Sequence, residues 1–262
     1  MQLLALDFDG VISDSAPECF VVALCTYLRT QNGTSLALPP GFDADSAPAP
    51  AAVEAAEFYR PFVELMPLGN RAEDFGIVLS AIDAGATIRD QGDYDRFRAK
   101  LSERWLDDFH TAFYEERRAV SERDPVGWER LMEPYPGFLE MLRGRASDAV
   151  LAIATAKDRR SVDRLLGSYG ARDLFPVERV FDKETGVSKV THLRALRDQE
   201  GVAFAEMTFV DDKVNHLDSV ASLGVRCALA AWGYNGDREI ALARERGYLV
   251  CALDDVEPLL FG

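Results

Sequence analysis

The chain has 262 residues, of which 48% are hydrophobic and 28% charged, enough apolar material for one large domain or two. Its 44 acidic and 29 basic residues give a formal net charge of −15, which repels phosphate backbones and argues against nucleic acid as a general partner. No apolar run approaches the ~20 residues that span a bilayer, and the stretch from Met1 to Asp7 has no basic region leading into a long apolar one, so neither a membrane span nor a signal peptide is readable.

In chain order, Leu3 to Leu6 predicts a buried strand. Ser15-Ala16-Pro17-Glu18 fits a capping box with Pro in the first turn, with Asp14 and Ser15 assigned to capping, and starts a helix running to about Thr30. Asn32-Gly33, Pro39-Pro40-Gly41 and the Ala/Pro tract from Asp43 to Ala52 are breakers and predict a flexible loop. Helical patterning follows over Val53 to Met66, Ala72 to Ala84 and Tyr94 to Val120, with no convincing strand. Pro134-Tyr135-Pro136-Gly137 then punctuates a return to strand–helix alternation. Strands are predicted over Ala149 to Ala154, Met207 to Val210 and Val225 to Leu229, with weaker candidates at Val177 to Phe181 and Tyr248 to Ala252. Helices are predicted over Ser161 to Tyr169, Val214 to Leu223 and Glu239 to Arg246. This alternation argues for an α/β domain, a parallel sheet covered on both faces, with an all-helical block inserted after the first strand. The cysteines Cys19, Cys25, Cys227 and Cys251 are widely spaced in apolar segments and read as buried free thiols of a reducing, cytoplasmic setting.

Ligands of open parallel sheets bind beyond the carboxyl ends of the strands, so the polar residues after each strand are the ones to inspect. They are Asp7-Phe8-Asp9-Gly10-Val11, Thr155-Ala156-Lys157 and Asp211-Asp212-Lys213, with Ser188-Lys189 near the start of an intervening helix. Two acid pairs suited to a divalent cation, a hydroxyl and a lysine are the equipment of phosphoryl transfer. Taken singly, each motif has a plainer reading: Asp7-Phe8-Asp9-Gly10 as a turn or calcium loop, Asp211-Asp212 as a helix start, Thr155 as an N-cap, Lys189 as a solvated lysine.

Together and in register, these motifs resemble the haloacid dehalogenase-like hydrolase superfamily, in particular its phosphoglycolate phosphatase and β-phosphoglucomutase branch. The resemblance covers about Gln2 to Ser15 and Pro136 to Gly262. It implies a Rossmann-like α/β core, residues 1–15 and 134–262, and a helical cap domain, residues 16–133. It implies a Mg²⁺-dependent phosphatase acting on a small phosphorylated metabolite through an aspartyl-phosphate on Asp7. Asp9 would be the general acid and then the base. Asp7, Asp212 and the Asp9 carbonyl would hold Mg²⁺, with Asp211 beside them. Gly10, Thr155, Ala156 and Lys189 would bind the substrate phosphate.

There are departures from the family pattern. Val11 replaces the commoner Thr, and Val190 follows Lys189 where relatives often have Pro. His216 stands where many relatives carry a further Asp. It reads either as a partner of the metal-site carboxylates or as a helix-surface histidine; His110 and His192 read as structural. The role of Lys157 is open. Trp232-Gly233-Tyr234-Asn235 resembles a loop of phosphoglycolate-type phosphatases, and reads as a substrate contact or as a packed aromatic turn. Arg71, in the insert, reads as a contact for an anionic leaving group or as a solvent-facing arginine. Three rivals stand beside phosphatase activity. A phosphomutase would use the same aspartates, a 2-haloacid dehalogenase would lack Asp9 and the metal, and a silent binding or regulatory protein would leave catalytic positions unfilled.

Overall fold

The computed structural model describes residues 2–42, 46–69, 71–186 and 188–261. The chain divides into two compact units, Met1–Asp14 with Glu133–Gly262, and Ser15–Met132.

In the first unit the strands are β1 (Gln2–Leu6), β2 (Ser13–Asp14), β3 (Glu133–Pro134), β4 (Ala149–Ala154), β5 (Val180–Phe181), β6 (Met207–Asp211), β7 (Arg226–Ala230) and β8 (Leu249–Cys251). Six of them form one sheet in the order β5-β4-β1-β6-β7-β8, every pair parallel. β2 and β3 form a separate antiparallel pair, which the sequence pattern did not suggest. The apolar runs predicted as strands are those of the sheet, because a strand covered on both faces has no polar side to show. Val177 to Phe181 is strand only over its last two residues; Val177–Arg179 is a 3₁₀ turn. Leu3 and Ala5 of β1, Ala152 of β4 and Phe209 of β6 are fully buried, and Leu193, Leu196, Leu217 and Val220 from two covering helices pack into the same core. The architecture is the expected Rossmann-like parallel sheet with helices around it.

The register positions the chemistry. Leu6 pairs with Ile153 on one side and with Val210 on the other. One residue further, the Asp7 N–H donates to the Val210 carbonyl at 2.9 Å. The ends of β4, β1 and β6 therefore lie side by side.

The second unit is helical: Ala16–Thr30, Pro50–Glu54, Tyr59–Leu65, Ala72–Asp83, Gln91–Arg98, Glu103–Arg123 and Pro125–Arg130, with a 3₁₀ turn over Met66–Leu68. Its interior holds a run of ring contacts from Phe20 through Phe62 and Phe75 to Phe113, with centroids 5.3–5.8 Å apart. Three expectations need correction. Ser15 makes no side-chain cap bond, and Glu18 is not a capping carboxylate. Glu18 is fully buried and accepts from Arg117 Nε (2.7 Å) and Nη2 (2.6 Å) and from Trp128 Nε1 (3.1 Å). Val53 to Met66 is not one helix, because Pro61 has no N–H and blocks the preceding turn; the helix restarts at Tyr59, which puts Pro61 in a first turn. Tyr94 to Val120 likewise breaks where Ser102 caps a new helix, its Oγ accepting from Trp105 N at 3.2 Å. The tract from Asp43 to Ala52 includes Asp43, Ala44 and Asp45, which lie outside the described residues; its end is helix.

Among the described residues no helix is long and apolar enough to cross a membrane. All four cysteines are free; three are buried, but Cys25 is only half-buried.

Candidate active site

The chain leaves β1 at Asp7 and turns at once. The N–H groups of Ile12 and Ser13 donate to the Phe8 carbonyl at 2.9 Å, and Gly10 N donates to Ser13 O at 2.8 Å. Gly10 has φ 82°, a conformation that favours glycine, and a Cβ there would stand 2.5 Å from the Asp212 carboxyl carbon. The turn thus brings the backbone of Asp9-Gly10 directly against Asp212, which no larger residue at position 10 permits.

Asp7 is buried, with Oδ1 accepting from Phe8 N at 2.7 Å and Oδ2 2.7 Å from Lys189 Nζ. Lys189 is the first residue of the helix Lys189–Glu200, which Ser188 caps by accepting from Thr191 N at 3.1 Å. Its ammonium also lies 3.1 Å from Asp211 Oδ2 and donates to Ala154 O at 2.8 Å. One lysine therefore ties together the ends of β1, β4 and β6. Burial works against the Lys189 charge, but Asp211 and Asp7 outweigh it and raise its pKa. The Asp7 carboxyl is pushed up by burial; Lys189 pulls it back, and Asp211 adds to the rise.

The two acids after β6 have different surroundings. Asp211 has 3.0 Å contacts from His216 Nδ1 to both oxygens and a 2.9 Å bond from Lys213 N, besides Lys189. Burial raises its carboxyl, but His216 and Lys189 prevail and hold it below the usual carboxylate range. Asp212 accepts from Tyr234 N through Oδ2 at 3.0 Å, while its buried Oδ1 has no hydrogen-bond partner. Burial and the neighbouring Asp211 push the Asp212 carboxyl well above its ordinary value, with Lys213 opposing. Three carboxylates crowded at the ends of adjacent strands, one with a buried oxygen left bare, form a donor set suited to a hard divalent cation. Ligand atoms of Asp7, Asp211 and His216 lie within 4.8 Å of one another. The residues fit the metal that the motifs imply.

Thr155 is buried at the end of β4, and its Oγ1 accepts from Lys157 N at 3.1 Å; Ala156 beside it is exposed. Lys157 is buried, and its Nζ donates to Asp9 Oδ1 at 2.9 Å. The structure thus brings Asp7, Asp9, Gly10, Thr155, Lys189, Asp211 and Asp212 to one edge of the sheet, and Lys157 and His216 with them.

A family model described as haloacid dehalogenase-like hydrolase matches residues 1–224. The chain belongs to this family. Solved structures similar to this hydrolase over nearly the whole length of both chains carry the same fold. One is described as a predicted phosphoglycolate phosphatase, from Haemophilus somnus, at 17% identity and TM-score 0.65, covering 99% of this chain and 96% of that one. Another is a haloacid dehalogenase-like hydrolase from Streptococcus pneumoniae, at 13% identity and TM-score 0.65, covering 99% and 97%. A third is a predicted phosphatase from Clostridium acetobutylicum, at 11% identity and TM-score 0.63, covering 98% and 97%. No curated protein matches the chain.

One group in this hydrolase escaped the reading of its sequence, and another was read there only as a substrate contact or a packed aromatic turn. Asp182 follows β5 and is fully buried; Oδ1 accepts from Glu184 N (3.0 Å), Thr185 N (3.1 Å) and Thr185 Oγ1 (3.0 Å), and Arg159 pairs with its other oxygen. Its position after a strand was the available signal, but β5 is only two residues long. The other group is the segment from Trp232 to Asn235, which packs on the first turn and on Asp212. Its Gly-Tyr-Asn pattern gave no hint of which strand end it would meet.

Proposed function

We propose that this hydrolase is a Mg²⁺-dependent phosphatase that cleaves a small phosphomonoester through an aspartyl-phosphate on Asp7. One observation carries the reading: Lys189 Nζ bridges Asp7 and Asp211 at 2.7 and 3.1 Å, beside an Asp212 oxygen that is buried without a partner. A lysine and an open cation cradle around one carboxylate answer the central difficulty of the reaction, the approach of an anionic nucleophile to an anionic phosphoryl group.

In this reading an Asp7 oxygen attacks phosphorus and forms the O–P bond as the bond to the leaving oxygen breaks. Asp9 gives its proton to that oxygen. Water then attacks phosphorus, Asp9 takes its proton, and phosphate leaves with Asp7 restored as carboxylate. Lys189 and the Thr155 hydroxyl hold phosphoryl oxygens, with the backbone at Gly10 and Ala156 completing the cradle. Asp7, Asp212 and the Asp9 carbonyl would hold Mg²⁺, with Asp211 behind them. When bound, Mg²⁺ supplies charge neutralisation at the phosphoryl group. The helical unit Ser15–Met132 contributes none of these residues, and in this reading it acts as the cap that selects the leaving group.

The test is a panel of small phosphomonoesters assayed with and without Mg²⁺, using the wild type and Asp7→Asn. Release of phosphate that needs Mg²⁺ and vanishes in Asp7→Asn is the expected result. Turnover by a folded Asp7→Asn protein at even a few per cent of wild type would remove Asp7 as nucleophile.

A further inference from the structure

We infer that Trp232–Asn235 is a collar that fixes the size of the cation cradle and so makes the site prefer Mg²⁺ to larger ions. The inference rests on the reading of Asp212 and the Asp9 carbonyl as metal ligands. Three residues of the segment tie down that pair: Trp232 holds the turn, Asn235 holds Asp212, and Tyr234 holds both. Trp232 Nε1 donates to Val11 O at 3.1 Å and Tyr234 Oη to Ser13 O at 3.3 Å, so two anchors hold the turn that carries the Asp9 carbonyl. Tyr234 N donates to Asp212 Oδ2 at 3.0 Å, which orients the carboxylate and leaves Oδ1 as its bare oxygen. Asn235 Nδ2 donates both to Asp212 O at 3.1 Å and to Ala230 O at 2.8 Å, which locks the end of β6 to the end of β7.

Gly233 lies between the two halves. A Cβ there would stand 2.3 Å from the Gly10 carbonyl and 2.4 Å from Asp212 Cβ, so the backbone itself is the spacer. The collar is also stiff. Tyr234 is buried, and Trp232 packs against Phe138 and Tyr135 with ring centroids 5.2 and 6.4 Å away. Fixed spacing matters for this ion. Mg²⁺ requires near-octahedral ligands at ~2.0–2.1 Å, whereas Ca²⁺ accepts ~2.3–2.6 Å and irregular geometry. A cradle held short favours the smaller ion, and one allowed to relax loses that preference. Trp232, Tyr234 and Asn235 are thus positioning residues, acting through the turn and through Asp212.

The experiment is calorimetric titration of substrate-free protein with MgCl₂ and, separately, CaCl₂. The variants are Asn235→Ala, Trp232→Phe, Tyr234→Phe and, as reference, Asp212→Ala. Asn235→Ala should weaken Mg²⁺ binding about tenfold or more and Ca²⁺ binding less, so that the ratio of the two affinities shifts towards Ca²⁺. Tyr234→Phe removes one hydrogen bond at nearly constant volume, and Trp232→Phe removes one together with part of the ring packing on Phe138 and Tyr135; both should shift the ratio the same way, with a roughly two- to tenfold loss for Mg²⁺ from the hydrogen bond alone. These two variants keep the test valid if Asn235→Ala misfolds, and circular dichroism reports on that. If Asp212→Ala loses Mg²⁺ while the collar variants keep both affinities, the collar is overturned and the metal-site reading stands. If Asp212→Ala retains full Mg²⁺ affinity, the metal-site reading fails and the collar with it.

Discussion

His192 lies in the first turn of the helix that begins at Lys189 and is buried against the turn before it. Its Nε2 donates to the carbonyls of Asp182 at 3.0 Å and Gly186 at 2.9 Å, so the neutral ring carries its proton on Nε2; the buried Nδ1 has no hydrogen-bond partner. Burial lowers the His192 pKa, the two carbonyls oppose this, and Lys189 adds to the lowering. The unfolded chain therefore takes up this proton first. The contribution to stability is full above the unfolded value of about 6.5 and is lost as pH falls towards the lower folded value. Melting followed by circular dichroism should lose stability as pH falls below about 6.5, and His192→Gln should flatten that slope. Parallel slopes for the two proteins would remove His192 as the cause. Asp7, Asp9, Thr155, Lys189, Asp211 and Asp212 were legible because each follows a strand or opens a helix, a property of the local sequence. Their partners were not. Lys157 and Asp9 are 148 positions apart, and nothing local to either says that they meet.

The long helices of the second unit carry the same lesson for elements. Periodicity marked Ala16–Thr30 and most of Glu103–Arg123, but Ser15-x-x-Glu18 had the pattern of a capping box while Glu18 points inward to Arg117 and Trp128. A pattern three residues long cannot report a partner in another helix. Arg117 is itself mostly buried and lies over the Phe113 ring at 4.7 Å; burial works against its charge, but Glu18 holds its pKa up. Removing one partner leaves the other charge buried and unpaired. Glu18→Gln or Arg117→Met alone should therefore cost about 3–5 kcal/mol of stability, whereas Glu18→Leu combined with Arg117→Met should cost less than either. Urea unfolding of the four proteins measures this. A double variant less stable than both singles would mean that the pair contributes through its charge and not merely by being complete.

At the scale of the molecule, the strand–helix alternation and the helical stretch without a convincing strand together made the parallel sheet and the inserted helical block legible. The exact breaks inside the insert were not, because Pro61 and the Ser102 cap decide them locally. The formal charge of −15 and the core's own cluster of acids mean that an anionic substrate meets positive charge only at placed groups. If the insert governs leaving-group choice, substitutions there should reorder a panel of phosphomonoesters and leave Mg²⁺ dependence unchanged. Arg71→Ala is one such substitution; Arg71 is exposed, and its Nη1 lies 3.7 Å from Glu73 Oε1. An unchanged substrate ranking across a set of insert variants would sink the idea.

The central place of β1 has a consequence for how the protein is made. β1 precedes the other strands of its sheet in the chain and pairs with β4 and β6, at Gln2 with Ala149 and at Leu3 with Met207. At ~5–20 residues per second, the ribosome needs roughly 10–40 s to deliver the second of these neighbours. Throughout that interval Leu3–Leu6, fully apolar apart from its backbone, has at least one bare edge. A nascent chain halted before Met207 would keep that edge, with its unpaired N–H and C=O groups, as a template for pairing with another chain.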